Sequence, residues 1–340
     1  MAHINDIDVN FVKQYGRTLD LLTQTMGGKF KGKCMEESIE GESRFYDQLS
    51  SVTATQALNS GDTNGMDSPL NDITHERRRV QAIPFDVGLM IDRFDKLKLL
   101  VDPGSEYVQQ QVHALNRKSD IEFLKGTLGT AHTGVDGGTA IAWNTTTAPN
   151  QFIDLGTAGQ ADAKFTLAKL IEARRILEVA GVDLDDPLNT PYVAVTPRQM
   201  HDLLSNTTAV QSIDFNNVKA LVRGEIDTFY GFKFCVSNLV PFMNTNGTAV
   251  HKVWNADGGE GDGTGANAGD KPGVETTGDN DRACFAWVKS GVRQVTNNNI
   301  QTEIEKRADK RFNWYSYASM RTGAVRMEEV KVVQIPCEEA

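Results

Sequence analysis

An α+β fold carrying long extended arms is the class this sequence predicts, and three observations lead there. Residues 33–90 hold two stretches of extended character, "KCMEESIEGESRFYDQLSS" and "HERRRVQAIPFDVGLMI", separated by the polar, turn-rich "GDTNGMDSPLND". A long helical pattern follows Pro103-Gly104-Ser105 and runs to about Leu128. Beyond it, short helical and strand patterns alternate and give way to strands at the end of the chain.

The elements follow in order. Over residues 7–22 Phe11, Tyr15, Leu19 and Leu22 recur at helical spacing, and Gly27 and Gly28 stop the pattern, which predicts a short amphipathic helix on an N-terminal arm. Residues 33–90 read as two long strands with a polar tip. At ~3.3 Å per residue a strand of about fifteen residues spans roughly 50 Å, farther than a compact domain needs, so such an arm is expected to find its partner on another subunit.

In the long helix Ser105 is the expected cap. Tyr107, Ala114, Ile121 and Leu128 form a stripe that Val108, Val112 and Leu115 widen, with Gln110, Lys118 and Lys125 on the other side. Gly129–Gly159, poor in charge, reads as strands and loop. A second helix is expected at about 166–180, with Leu167, Leu170, Ile171, Ile176 and Leu177 buried and Gly181 as its stop. "TPYVAVTP" is a short buried strand, "RQMHDLLS" a short helix and "FYGFKFCVSN" a further strand, an α/β or α+β alternation. Two strands, "AVHKVW" and "ACFAWVK", flank an insert at 255–282 so rich in Gly, Asp and Asn that it predicts an exposed loop, placed on an outer surface by the mutual repulsion of its acids. Thr302–Ile335 alternates as a terminal sheet.

Composition narrows the function. No apolar run reaches eighteen residues, and "MAHINDIDVN" has neither a basic nor an apolar leader region, so a soluble, unsecreted chain that keeps its N-terminus is expected. A formal charge of −10 argues against a surface that grips nucleic acid throughout, and leaves local basic patches open. Cys34, Cys235, Cys284 and Cys337 lie far apart without metal-ligand spacing, which suits buried free thiols.

Catalytic signatures are missing: no GxGxxG, no phosphate loop, no GxSxG and no HExxH. His3, His75, His113, His132, His201 and His251 never pair at ligand spacing. "GGEGDGTG" in the insert suggests a calcium repeat, yet it occurs once, and such repeats need stacked neighbours. Asp183, Asp185 and Asp186 of "DLDDP" could hold a divalent cation or form a solvated helix-exit turn. No catalytic, cofactor or metal residue is nominated, and no cofactor is expected.

Arg77, Arg78 and Arg79 stand on an extended segment, where successive side chains point to opposite faces. No aromatic stacking platform accompanies them, and Asp72 and Glu76 lie beside them, so pairing with carboxylates of a neighbouring subunit outweighs a nucleic-acid patch. Asp86, Asp92, Asp95 and Asp102 follow as further charged groups.

"FVKQYGRTLDLLTQ", "RFYDQL", "HERRRV", "IDRFDKLKLLVDPGSEYVQQQVHALNRKSD", "TLAKLIEARRIL", "YVAVTPRQMHDLLS" and "VKALVRGEIDTFYGFKF", in that order, resemble a tailed-phage major capsid protein of the Hong Kong 97-like fold over most of residues 9–238. The resemblance implies an N-arm (1–32), an extended E-loop (33–91), a peripheral domain with a long spine helix (92–163 and 295–340) and an axial domain (164–294) containing the exposed loop 255–282. It implies a non-enzymatic subunit of an icosahedral shell around double-stranded DNA, located in the virion and assembled in the host bacterial cytoplasm. Its partners would be its own copies, in hexamers and pentamers, a portal protein and, as candidates, scaffolding and cement proteins. In such a shell the acids Asp86, Asp92, Asp95 and Asp102 would set register between subunits together with the arginines, with Arg77, Arg78, Arg79, Asp86, Asp92 and Asp95 as the candidate contacts. No membrane and no sequence-specific DNA contact is implied. A compartment shell of the same fold that encloses protein, and an enzyme using "DLDDP" with His201, are the alternatives.

Overall fold

The computed structural model describes residues 26–52, 72–91, 104–143, 149–153, 164–205, 228–241 and 281–338. The chain forms two compact units, Met1–Gly27 with Pro84–Lys118 and Asn299–Met320, and Gly28–Ile83 with Ser119–Asn298 and Arg321–Ala340. The division cuts several long elements along their length, and each unit is taken by itself. The expected helix over 7–22, the strand "AVHKVW" and most of the 255–282 insert lie outside the described residues.

The larger unit is built on a five-stranded sheet. Its strands are β7 (Pro191–Val195), β8 (Thr228–Phe229), β9 (Phe232–Val236), β10 (Asp281–Val288) and β13 (Val332–Glu338), in the order β13-β10-β7-β9-β8. β10 pairs antiparallel with β13 and with β7, whereas β7 and β9 run parallel. Val193, Ala194, Val195, Phe285, Ala286 and Trp287 are completely buried, as strands covered on both faces must be. "FYGFKFCVSN" is not one strand but a hairpin: Phe229 pairs with Phe232 across Tyr230 (φ 51°) and Gly231 (φ 83°), the doubly left-handed turn that fits strand twist.

Helix α2 (Leu167–Val179) packs on this sheet and ends before Gly181, whose φ of +80° fits the expected stop. Its inner face also includes Ala173, and it differs from the expected one in two further residues. Ile171 is 42% exposed, while Lys169 is buried and donates from Nζ to the Pro336 carbonyl at 2.8 Å, which lets the ammonium reach a main-chain acceptor of β13. A short helix α3 (Pro197–Ser205) follows β7, and Gln199 accepts from the Thr196 backbone N–H at its start (3.1 Å).

The two long strands expected over 33–90 are four: β1 (Met35–Ser38), β2 (Ser43–Leu49), β3 (His75–Gln81) and β4 (Ile83–Ile91). The breaks fall at Gly41–Glu42 and at Ala82, where the Ala82 N–H donates to the Glu42 carbonyl at 2.9 Å. β1 runs parallel to β11 (Val292–Arg307), with Met35 opposite Arg293. β2 and β3 pair antiparallel from Ser43↔Gln81 to Leu49↔His75 and continue through β5 (Ala131–Thr133) to β6 (Thr139–Ile141). The described part of the arm therefore finds its strand partners in its own chain, because β5 emerges from the long helix next to β3.

The terminal residues do not make one sheet either. β11 and β12 (Asn313–Arg326) join β1 and β4 in the order β1-β11-β12-β4, while β13 crosses to the edge of the five-stranded sheet.

Helix α1 spans Gly104–Leu128. The expected one-sided stripe does not hold in its last turns, where Asp120 to Leu124, Thr127 and Leu128 are all buried. The polar members are used: the Asp120 carboxylate accepts from the N–H groups of Lys29 (3.0 Å) and Phe30 (3.3 Å). Burial still pushes this carboxyl above the usual range against the pull of those N–H groups.

Gly126 explains how closely this helix end is approached, since a Cβ there would overlap the Ala324 carbonyl of β12. In an open helix Gly→Ala stabilises by roughly 0.5–1 kcal/mol. Here the sign should reverse: Gly126→Ala is expected to cost about 1–3 kcal/mol by overpacking against main chain. Urea unfolding of the variant tests this, and a stabilised variant would rule out the close approach.

In the smaller unit Leu115, Ala318 and Met320 make the core, with Phe85, Val87 and Ile300 packed on it. The buried Gln111 ties α1 to both strands, donating to the Val87 (3.3 Å) and Ser316 (3.0 Å) carbonyls and accepting from the Ser316 hydroxyl at 2.8 Å. One face of β4 and β12 is thereby fixed against the helix, which leaves the opposite face outward.

Candidate assembly surface and the arginine triplet

Strand alternation sorts the arginine triplet as the period of two requires. In the β2–β3 ribbon Arg79 stands opposite Phe45, Arg78 opposite Tyr46 and Arg77 opposite Asp47. Tyr46, Arg78 and Val80 point into the larger unit and are buried, with Ile39, Ala82, Ala131, Val295, Val325 and Met327 around the two apolar ones. Phe45, Asp47, Leu49, His75, Arg77 and Arg79 share the other face, exposed or half-buried.

Arg78 corrects the expectation of pairing between subunits. Its guanidinium is 3% exposed and donates from Nη2 to Glu329 Oε2 at 2.8 Å, within the same chain. Glu329 lies in the turn between β12 and β13 and also faces Arg326, whose Nη2 is 3.6 Å from Oε1. Arg326 is fully buried; its Nη1 donates to the Thr127 (2.7 Å) and Gly129 (3.0 Å) carbonyls, at the C-terminal, negative end of the α1 dipole. Burial, and then the neighbouring Arg78, pull the Arg326 guanidinium down to about 10, against the attraction of Glu329, so it stays charged at neutral pH.

Arg77 keeps its outward place. It forms an ion pair with Asp47 at 2.6 Å, both groups well exposed, and lies over the Phe45 ring at 5.6 Å. A pair so wetted contributes about 0–1 kcal/mol to the fold, so its charges remain available to a further partner. Arg79 lies against Gly137. Asp86 is exposed on β4, and Asp92 and Asp95 lie outside the described residues.

The outer face of the ribbon also carries apolar groups. Leu49 (66% exposed), Val52 and Ile73 are exposed at and just beyond the far end of the ribbon, and Val135 (79% exposed) lines a groove of about 580 Å³ together with Asp47, His75, Arg77 and Ile141. Exposed apolar side chains set among charged ones in this way are what an interface presents.

Sequence reasoning missed the residues that hold this ribbon. Glu37 binds Arg44 at 2.9 Å, pairs with Arg293 and accepts from the Tyr46 hydroxyl at 3.2 Å, while Arg293 stacks on the Tyr46 ring at 4.4 Å. Gln48 donates to the Met327 carbonyl at 3.1 Å. These contacts join positions up to 279 residues apart, and no local pattern marks them.

The other chemical candidates are occupied by local structure. Asp183 accepts from the Asp185 N–H and Asp186 caps the turn at Pro187–Asn189. The His201 side chain is 74% exposed beside Asp202. The four cysteines are buried free thiols, and burial pushes Cys34 up to about 12, which removes any nucleophilic use at neutral pH. Among the described residues no three or more His, Cys, Asp or Glu side chains gather as metal ligands.

Interdigitated strands and an outward ribbon are features suited to a structural subunit. Comparison with known proteins gives the family: the phage capsid protein family matches residues 7–339, so the chain belongs to it. The chain is thus a structural protein of the virion and not an enzyme. A search of curated proteins finds no match. Among solved structures, the capsid asymmetric unit of cyanophage Pam1 is similar at TM-score 0.64 and 13% identity over 99% of each chain. The capsid of cyanophage P-SCSP1u reaches 0.62 and 15% over 98% of this chain and 95% of that one. The acid-stable capsid of Helicobacter pylori bacteriophage KHP30 reaches 0.64 and 11% over 99% of each. At such identities the likeness is one of fold, the Hong Kong 97-like capsid fold over nearly the whole chain.

Proposed function

We propose that this capsid protein is the major shell subunit of a tailed phage, closing into hexamers and pentamers around double-stranded DNA. The observation that carries the reading is the end-to-end match of the chain to the capsid family and fold, together with a ribbon that presents charged and apolar groups outward. On this reading residues 1–32 form the N-arm, 33–91 the E-loop, 92–163 and 295–340 the peripheral domain with α1 as its spine, and 164–294 the axial domain. A portal protein closes the shell, and scaffolding or cement proteins act on it from outside the chain.

Arg77, Arg79 and Asp86, with Asp92 and Asp95, are the contacts proposed to set register between copies. Charged pairs at a rim govern specificity and encounter more than affinity, which suits a shell that must correct errors during growth. Electron microscopy of the purified protein with a nuclease-protection assay tests the whole reading. Closed shells that protect DNA in infected cells are expected; particles filled with a protein cargo, or a monodisperse monomer, would overturn it.

A more pointed result is expected for Arg77→Gln with Arg79→Gln. The critical concentration for assembly should rise at least several-fold while the melting temperature of the unassembled subunit changes by little, since exposed pairs contribute about 0–1 kcal/mol to the fold. An unchanged threshold would show that both arginines face solvent in the shell.

A further inference from the structure

Among the described residues, the sheet face turned away from α1 in the smaller unit has no partner within that unit. On β4 and β12 the residues facing the helix are Phe85, Val87, Ser316, Ala318 and Met320, so by strand alternation Asp86 and Met90 point the other way, with Tyr315 and Tyr317. On β11, where Ile300 faces the helix, the same count turns Glu303 and Glu305 outward. Glu303, Glu305, Arg307, Tyr315 and Tyr317 line an open groove of about 310 Å³, walled by two stacked tyrosines at 6.2 Å and by two carboxylates. Its one guanidinium is committed: Arg307 binds Asp309 through Nε at 3.0 Å and Nη2 at 2.7 Å.

The end of the ribbon that β11 and β12 form has the opposite character. Residues 301–312 are all exposed, and with Asp309 neutralised by Arg307 the tip presents Lys310 and Arg311 as net positive charge beside Phe312, which is 58% exposed. Arg311 (φ 53°) and Phe312 (φ 58°) both hold left-handed backbone, a conformation that ordinary side chains avoid and a ring as bulky as phenylalanine avoids most. Such strain is retained where it aims side chains at something.

We infer that the basic tip of this ribbon, Lys310–Arg311–Phe312, docks into the acidic tyrosine groove on the flank of the same ribbon in a second copy of the chain. The inference rests on the self-assembly reading above and names one of its contacts. Arginine is suited to the groove because a planar guanidinium can lie on a tyrosine face while its edge meets a carboxylate, and Tyr and Arg are the residue types that carry interface energy. The contact is head to flank, hence heterologous: it propagates from copy to copy and closes into a ring where the rotation between copies allows it. Asp86, among the proposed inter-subunit residues, gains a reason for its place, since it adds negative charge to the receiving face.

Charge reversal in two places tests this. Glu303→Lys with Glu305→Lys, and separately Lys310→Glu with Arg311→Glu, should each lower particle yield at least tenfold while the unassembled subunit melts as before; all four together should restore most of the yield. Because charge exchange inside one ribbon would also restore yield, Glu305→Cys with Arg311→Cys supplies the second measurement, and its background is clean because the four native cysteines are buried. Oxidised particles should then show a ladder of covalently joined copies on a non-reducing gel. Normal assembly of both reversed variants, a flank defect that the reversed tip does not rescue, as a foreign basic partner would produce, or a link confined to single chains would each overturn the inference. Should the unmodified chain form no particles at all, the self-assembly reading itself fails, a result the variants cannot imitate.

Discussion

Glu329→Ala is expected to lower the unfolding free energy of the unassembled subunit by about 3 kcal/mol, the lower part of the range for breaking a buried ion pair, because this carboxylate keeps one-fifth of its side-chain exposure. The loss has a definite origin. Arg78 and Arg326 are 3% and 0% exposed, and Glu329 is the carboxylate between them. Without it two buried guanidinium groups face each other, and only Arg326 retains compensation, from the two carbonyls at the end of α1. Glu329→Gln keeps the volume and one acceptor for Arg78, and should recover part of the loss but not the charge. Urea unfolding of the three proteins at one ionic strength checks this, and a loss under about 0.5 kcal/mol would mean that the junction behaves as a solvated surface pair. The consequence for the shell is positional. Arg78 stands in the middle of β3, so a broken junction loosens the root of the ribbon whose outer face is proposed to meet other copies.

The junction also shows where sequence reasoning ends. The extended character of residues 33–49 and 75–91, the helix to Leu128, the buried strand at Pro191–Val195 and the helix stop at Gly181 were legible because each is written in local periodicity or in a single turn residue. The alternation of Arg77, Arg78 and Arg79 between two faces was legible for the same reason. Which face was inward was not, because that depends on Glu329, some 250 positions away, and a charged triplet reads as surface when its partner cannot be seen. The burial of Lys169 and Asp120 escaped notice in the same way: each side chain satisfies a distant main-chain group, Pro336 for one and the segment at Lys29–Phe30 for the other. Family membership was legible from ordered stretches spread along the chain, none of them a site motif, which suits a protein whose function lies in surfaces.

The second large effect concerns the centre of the five-stranded sheet. Trp287→Ala is expected to cost about 3–5 kcal/mol, the range for removing a large aromatic side chain from a core that cannot collapse into the space. Collapse is prevented by what surrounds it. Trp287 lies on β10 between Tyr192 of β7 and Val332 of β13, and its ring meets Phe285 at 5.0 Å, Tyr192 at 5.5 Å, Phe123 at 5.6 Å and Phe30 at 5.9 Å. Its indole N–H donates to the Lys33 carbonyl at 3.0 Å, a bond worth about 1 kcal/mol, so Trp287→Phe should cost less than the alanine variant by retaining most of the packing while losing this bond. The direction of the damage is predictable as well. Phe30 and Lys33 belong to the segment that leads into β1, held by this ring, by stacking on Phe123 at 4.7 Å and by the Asp120 carboxylate. With the indole gone, that segment loses one of its anchors while the sheet keeps its hydrogen bonds. Limited trypsin digestion should therefore cut at Lys29 and Lys31, both exposed, sooner in Trp287→Ala than in the parent and before global unfolding, as expected for local opening of a weakly held segment. Equal protection of these lysines together with a loss below about 1 kcal/mol would show that the cluster tolerates a vacancy, and that the segment before β1 is held without the indole.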